Sequence, residues 1–160
     1  KTIKALERNK FVVHYFETGA EAISYLKGRI QNKRVAIGDS HTLLELKVHD
    51  VLAQVNDDIT DIQRPLPGES FRDTALRTMG RDVFLTSVNA LAQTGEMVNI
   101  DGTGNRVAAS LFGSQEVFFV LGINKITPDL ASAIYRARNV AAPLKSKKNK
   151  KRIHTAYSRN

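Results

Sequence analysis

The chain predicts an α/β domain: a wound, mainly parallel sheet with flanking helices and one antiparallel hairpin. Three observations carry this expectation. Short apolar stretches rich in β-branched and aromatic residues alternate with segments of helical periodicity. Two of the stretches, Val35-Ala36-Ile37 and Asp82-Val83-Phe84-Leu85-Thr86, are continuously apolar between polar flanks, as strands buried on both faces of a parallel sheet are. The third is that 160 residues with 42% apolar and 25% charged side chains match one ordinary globular domain, which excludes a disordered chain.

In chain order, a short helix tail leads to an expected strand at Phe11-Val12-Val13-His14-Tyr15-Phe16. Thr18-Gly19-Ala20-Glu21 matches a capping box. Ala22, Ile23, Leu26 and Ile30 then recur at helical spacing to about Gln31. After the strand 35–37 comes Gly38-Asp39-Ser40-His41-Thr42, where Ser40 or Thr42 is placed to cap a helix carrying Leu44, Val48, Val51 and Val55. Residues 56–68, with two prolines and a run of acids, read as a surface loop. Phe71, Ala75 and Met79 give one face of a helix that Gly80 closes.

Beyond the strand 82–86, Ala90–Ala92 and Met97–Ile100 flank Gln93-Thr94-Gly95-Glu96 as a hairpin, expected beside or at the edge of the sheet. A short helix Val107–Phe112 stops at Gly113, and Glu116–Leu121 is the clearest strand. Thr127-Pro128-Asp129 reads as cap, first-turn proline and dipole-favoured acid for a helix with Leu130, Ala133, Ile134, Ala137 and Val140/Ala141 inward, ended by Pro143. The expected organisation is one α/β domain over residues 1–144 and a basic C-terminal segment over 145–160.

The +8 net charge is local. Seven of the 24 basic residues and no acid fall between Lys145 and Asn160, leaving 17 basic against 16 acidic groups in the preceding 144 residues. Nucleic-acid binding is therefore expected only through that segment, and it is disfavoured because Tyr157 is the only aromatic there to stack on a base. The absence of cysteine excludes disulfides, thiolate zinc sites and cysteine-held clusters within these residues, and it suits a reducing compartment. No apolar run approaches the ~18–20 residues of a helical span, so no membrane association is expected. The chain begins at Lys1 rather than Met, which points to a missing natural N-terminus. No cofactor is evident.

In wound sheets ligands sit outside the carboxyl ends of the strands. Four loops fit that position: Gly38–Thr42, Ser87–Asn89, Asn99–Arg106 and Gly122–Lys125. Gly38, Gly102 and Gly104 allow close backbone approach, and Ser40, Thr42 and Thr103 offer hydroxyls. Asn89, Asn99, Asn105 and Asn124 supply directional hydrogen bonds; Arg106 and Lys125 supply charge. The set suits a small anionic ligand. Asp101, a lone carboxylate in a glycine-bearing loop, is the candidate acid or base, with an Asp capping its own turn as the plain alternative. A dinucleotide fingerprint fails because Val107 stands at the third glycine's place. His41, Glu45 and His49 share helical spacing, but a solvated helix face is the preferred reading over a metal site, and none is assigned.

The stretches Asp82–Leu91 and Gly95–Ala109, with Asn99-Ile100-Asp101-Gly102-Thr103-Gly104-Asn105-Arg106 at their centre, resemble the LUD-domain family of lactate-utilisation proteins. Val120–Ile126, Pro128-Asp129-Leu130 and Arg138–Pro143 match it too, in the right order, so the resemblance runs from about Val35 to Pro143. It implies a fold like that of glucosamine-6-phosphate deaminase, ribose-5-phosphate isomerase and CoA transferases. It further implies a cytoplasmic bacterial protein linked to oxidation of lactate to pyruvate, beside a subunit carrying iron–sulfur clusters. This chain looks like a stand-alone version, either a ligand-binding enzyme or a non-catalytic subunit docking that redox partner; a homo-oligomer is left open. Two departures stand out. Where the family commonly has Gly-Gly-Ser-Met-Thr-Leu this chain has Gly38-Asp39-Ser40-His41-Thr42-Leu43, and where many stand-alone members carry a cysteine cluster it has Lys145 to Arg152.

Overall fold

A computed structural model describes residues 1–144. The basic segment 145–160, with the nucleic-acid reading that depends on it, lies outside the described residues. The elements are α1 (Thr2–Arg8), α2 (Gly19–Arg29), β1 (Arg34–Ile37), α3 (His41–Glu45), α4 (Val48–Leu52), β2 (Asp58–Asp61) and α5 (Phe71–Arg77). They continue with β3 (Val83–Thr86), β4 (Ala90–Ala92), β5 (Met97–Val98), α6 (Asn105–Leu111), β6 (Glu116–Phe119), β7 (Ile126–Thr127) and α7 (Leu130–Arg136). The chain divides into two compact units, one of residues 14–87 and 105–121, the other of residues 1–13, 88–104 and the chain from Gly122 onward.

The larger unit is the expected wound sheet. Its four strands run in the order β2-β1-β3-β6, every neighbouring pair parallel. Strand periodicity sends alternate side chains to opposite faces. Val35, Ile37, Val83 and Leu85 accordingly pack with Leu26 and Ile30 of the α2 region and with Leu43, Val48 and Leu52 of α3 and α4. Ala36 and Phe84 turn the other way, onto Ala109 of α6, Met79 and Val117. Three helix starts in this unit are capped by their own local sequence. Thr18 Oγ1 accepts the Glu21 N–H while the Glu21 carboxylate accepts the Thr18 N–H, a complete capping box. Ser40 caps α3 and Ser70 caps α5.

Three expectations for this unit and the segment that leads into it are corrected. Residues 11–16 form no strand; the rings of His14 and Phe16 lie instead against Tyr25, whose hydroxyl is 2.8 Å from His14 Nε2. The stretch 56–68 is not all loop, since Asp58–Asp61 forms β2 against β1. Only one large apolar residue marks that strand, and the pairing rather than hydrophobic pattern fixes it. The long helix through Leu44 and Val55 is two helices, because Lys47 adopts the left-handed conformation at φ 51° and breaks the 3.6-residue period.

Two ion pairs tie this unit together at its edges. Asp82, beside β3, accepts the Arg34 side chain at 2.7 Å and the Arg34 N–H at 2.9 Å, and the hydrogen bond from the Arg34 side chain is the main cause that holds its carboxyl down at about 2. Glu69 accepts Arg77 Nε at 2.5 Å and the Leu66 N–H at 2.9 Å and is likewise held at about 2, chiefly by Arg77. Both carboxylates are depressed in the folded state from ordinary values of 3.8 and 4.5, so their contribution is complete above those values and is lost as pH falls toward 2. Denaturant midpoints measured along an acid series should therefore decline through that window. Asp82→Asn should give a shallower decline at a lower starting stability; an acid limb identical to wild type would contradict the assignment.

The smaller unit holds a three-stranded mixed sheet in the order β5-β4-β7. β4 and β5 form the predicted antiparallel hairpin, with Gly95 in its turn at φ 107°. The hairpin joins no edge of the four-stranded sheet; β4 pairs in parallel with β7 instead, a strand of two residues that sequence periodicity cannot register. The close approach of Ala133 on α7 to Ala90 and Ala92, with Val98 beside them, makes this core one of small side chains. The helix starts later than expected. Asp129, not Thr127, is its cap, with Oδ1 accepting the Ser132 N–H at 2.8 Å, because Thr127 is spent in β7. Its inward stripe is also narrower: Ala133 and Ala137 are buried, whereas Leu130, Ile134 and Val140 are exposed. Among the described residues no helix is long and apolar enough to cross a membrane.

Candidate functional site

The strand order of the larger unit places a topological switch between β1 and β3: the chain winds from β1 outward to β2 on one side and from β3 to β6 on the other. Crevices at such switches, outside the carboxyl ends, are where wound sheets bind ligands. Gly38 follows β1 there, and its N–H donates to Leu85 O of β3 at 2.8 Å. A Cβ at this position would stand 3.0 Å from Phe84 Cζ and 3.3 Å from Leu85 O, so the loop hugs the strand only because residue 38 is glycine. Ser40 is buried and its Oγ accepts the Leu43 N–H at 3.3 Å, the capping role its sequence predicted; Thr42 is the second residue of the same short helix. Asp39 accepts Gln63 Nε2 at 2.8 Å.

β3 ends in Thr86 and Ser87, both buried. Arg106, second residue of α6 after Asn105, donates Nη1–H to Ser87 O at 2.7 Å. The guanidinium is thereby pinned at the carboxyl end of a central strand. Of the predicted site residues, the larger unit thus gathers Gly38, Ser40, Thr42, Asn105 and Arg106.

The others belong to the smaller unit: Asn89, Asn99, Asp101, Gly102, Thr103, Gly104, Asn124 and Lys125. Here the amides act largely on backbone. Asn89 Oδ1 accepts the Ile100 N–H at 3.1 Å, tying the segment that follows β5 to the residue before β4. Arg136 of α7 donates to Asn89 O and, at 3.2 Å, to Asn124 O, so one guanidinium joins two predicted loops. Sequence spacing gave Arg136 no functional weight; its signal was only an arginine in the last turn of a helix. Asp101 is half-buried and Gly104 takes φ 80°, the left-handed region that its glycine serves.

A second group of polar residues surrounds a shallow hollow at the carboxyl ends of β1 and β2. It is lined by Gly38, Ser40, Lys47, His49, Asp61, Gln63 and Arg64 among others. Asp61 closes β2, buried, and was missed because its strand was read as loop. The histidines do not share one ion: His41 Nδ1 is 3.1 Å from Glu45, and His49 Nδ1 is 3.0 Å from Asp61. Among the described residues no group of three or more His, Asp or Glu side chains is placed to hold a metal.

The family model of the LUD domain matches residues 1–158. The chain belongs to the LUD-domain family. Comparison with curated proteins and with solved structures finds no match. The match spans the four-stranded parallel sheet and the mixed sheet alike, so both units are parts of one LUD domain in sequence terms. Within this LUD domain the Gly38 loop approaches β3 closely, with Asp39 and His41 on either side of the capping Ser40. The side chain of Asp39 turns to Gln63 rather than requiring room near Phe84.

Proposed function

We propose that this LUD domain serves lactate utilisation and holds a small anionic or phosphorylated ligand at the carboxyl rim of its four-stranded sheet. One observation carries the reading: Arg106, the basic residue of the family-like Asn-x-Asp-Gly-x-Gly-Asn-Arg segment, is fixed on Ser87 O at the switch between β1 and β3. A guanidinium cannot lose its charge at working pH, and its planar donors suit carboxylates and phosphates. The Gly38 backbone is held close to β3, where a Cβ would meet Phe84 Cζ at 3.0 Å, so this loop end of β1 is set tightly against the central strand.

The 160 residues contain no cysteine, so a thiolate-held cluster taking electrons from lactate would sit outside them. This favours, as second reading, a ligand-holding subunit that docks an iron–sulfur redox partner. Titration of lactate, pyruvate and sugar phosphates against wild type and Arg106→Ala tests the first reading. Loss of a charge-assisted hydrogen bond, worth about 1.5–3 kcal/mol, should weaken binding by about 10- to 100-fold while the folded far-ultraviolet spectrum is kept. Binding unchanged by the substitution, or no binding by any member of the series, overturns it. Turnover by the isolated chain would reject the second reading.

A further inference from the structure

The hollow at the carboxyl ends of β1 and β2 contains an oriented imidazole that the Arg106 reading does not use. His49, the second residue of α4, places Nδ1 3.0 Å from Oδ2 of Asp61. Asp61 is 7% exposed, and its other oxygen accepts the Gln63 N–H at 2.9 Å. A carboxylate only accepts hydrogen bonds, so in the neutral ring the hydrogen sits on Nδ1 and the lone pair on Nε2. This is how a buried acid fixes the tautomer and the plane of a working histidine. The His49 side chain keeps 23% exposure and lines the hollow, so the ring is anchored at one nitrogen without being sealed from solvent.

Local backbone supports the arrangement. Lys47, at φ 51° and ψ 39°, ends α3 and starts α4, and a non-glycine residue in this region costs about 1 kcal/mol or more. The break sets His49 on a new helix instead of continuing the old one. Lys47 and Arg64 also line the hollow, Arg64 being 2.7 Å from Asp50 and 3.9 Å from Asp61. Two cations thus stand at the rim against one surface and one buried carboxylate. The hollow is small and partly open to solvent.

We propose that Nε2 of His49 accepts the O–H of a small hydroxylated anion, a hydroxy acid or a sugar phosphate, whose negative group is met by Lys47 and Arg64. The pair thereby selects for a hydroxyl over its absence. The inference goes beyond the Arg106 reading and rests on His49, Asp61, Lys47 and Arg64 instead of Arg106, so either can fail while the other holds.

Nitrogen-15 spectra of the imidazoles in the full chain test it, with the His49 ring identified by its loss in His49→Phe. Recorded above the ordinary histidine range (~6.5), the ring should show the Nδ1–H tautomer. Glycolate or ribose 5-phosphate should move the Nε2 signal, and acetate and methyl phosphate, which lack the hydroxyl, should leave it nearly in place. A response to glycolate alone assigns a hydroxy acid; a response to ribose 5-phosphate alone assigns a sugar phosphate. His49→Phe should weaken binding of the responding ligand by about three- to tenfold, the size of one neutral hydrogen bond, and leave its hydroxyl-free analogue unaffected. An Nε2–H tautomer in wild type, or an Nε2 signal unmoved by both hydroxylated ligands, overturns the proposal. Equal response to the hydroxyl-free analogues overturns the selectivity.

Discussion

Phe84→Ala should destabilise the protein by about 3–5 kcal/mol, read as a lowered denaturant midpoint at unchanged slope. Phe84 is 1% exposed at the centre of β3, between Ala36 of β1 and Val117 of β6. It is the one large ring in a layer whose other buried members are Ala36 and Ala109. Alanines have no side chain to lean into a void, so the space left by the ring would stay open and the loss should fall in the upper part of the range for such deletions. The same ring is the floor on which Gly38 rests. Its removal should therefore also weaken anion binding at the switch between β1 and β3, although residue 84 touches no ligand in this reading. Phe84→Leu fills most of the volume and should cost about 1–1.5 kcal/mol. A loss below about 1 kcal/mol for the alanine variant would mean that the layer collapses freely and that packing here is not rigid.

The second large effect is polar. Asn56 is buried and ends the segment after α4 with a side chain that serves three backbone groups at once. Its Nδ2 donates to Ile30 O at 3.0 Å and Leu52 O at 2.9 Å, and its Oδ1 accepts the Lys33 N–H at 2.9 Å. It therefore staples the end of α2, the end of α4 and the approach to β1 at one point. Asn56→Leu keeps the volume but strands three polar groups, and it should cost about 3 kcal/mol or more, since each buried group left without a partner costs roughly 1–3 kcal/mol. Asn56→Asp separates hydrogen bonding from shape. It retains an acceptor for Lys33 but turns both donors into a charge facing two carbonyl oxygens, so it should be no better tolerated than leucine at neutral pH. Thermal melts of the two variants against wild type decide the matter, and a shift within error for Asn56→Leu would show that water replaces the amide.

These two residues also mark what sequence reading reaches. Phe84 was legible, because a continuous apolar run has one physical use in a wound sheet. Asn56 was not, because a polar residue in a proline- and acid-bearing stretch reads as solvated loop until the carbonyls around it are located. β2 was lost for the same reason. Its Asp58-Ile59-Thr60-Asp61 has no hydrophobic alternation, and its strand character comes from the hydrogen-bonding edge that β1 presents. Conversely, residues 11–16 carry high strand propensity but find no partner strand, and the rings of His14 and Phe16 pack on Tyr25 of α2 instead. The site divides along the same line. Gly38, Ser40 and Arg106 were read from glycine, cap and charge in local sequence, whereas Asp61 and Arg136 acquire meaning only through residues 12 and 47 positions away.

By itself the chain settled its class, its strands β1, β3 and β6, the capping box at Thr18 and the membership of the LUD-domain segment, since each is written in contiguous residues whose period or spacing has a direct physical meaning. Pairing across distance decided the rest: which edge recruited β2, where Lys47 broke a helix, that the hairpin built a sheet of its own with β7, and that His49 met an acid. A hydrogen bond between remote segments leaves no periodic trace in either of them, and so it becomes visible only when the backbone has brought the two ends together.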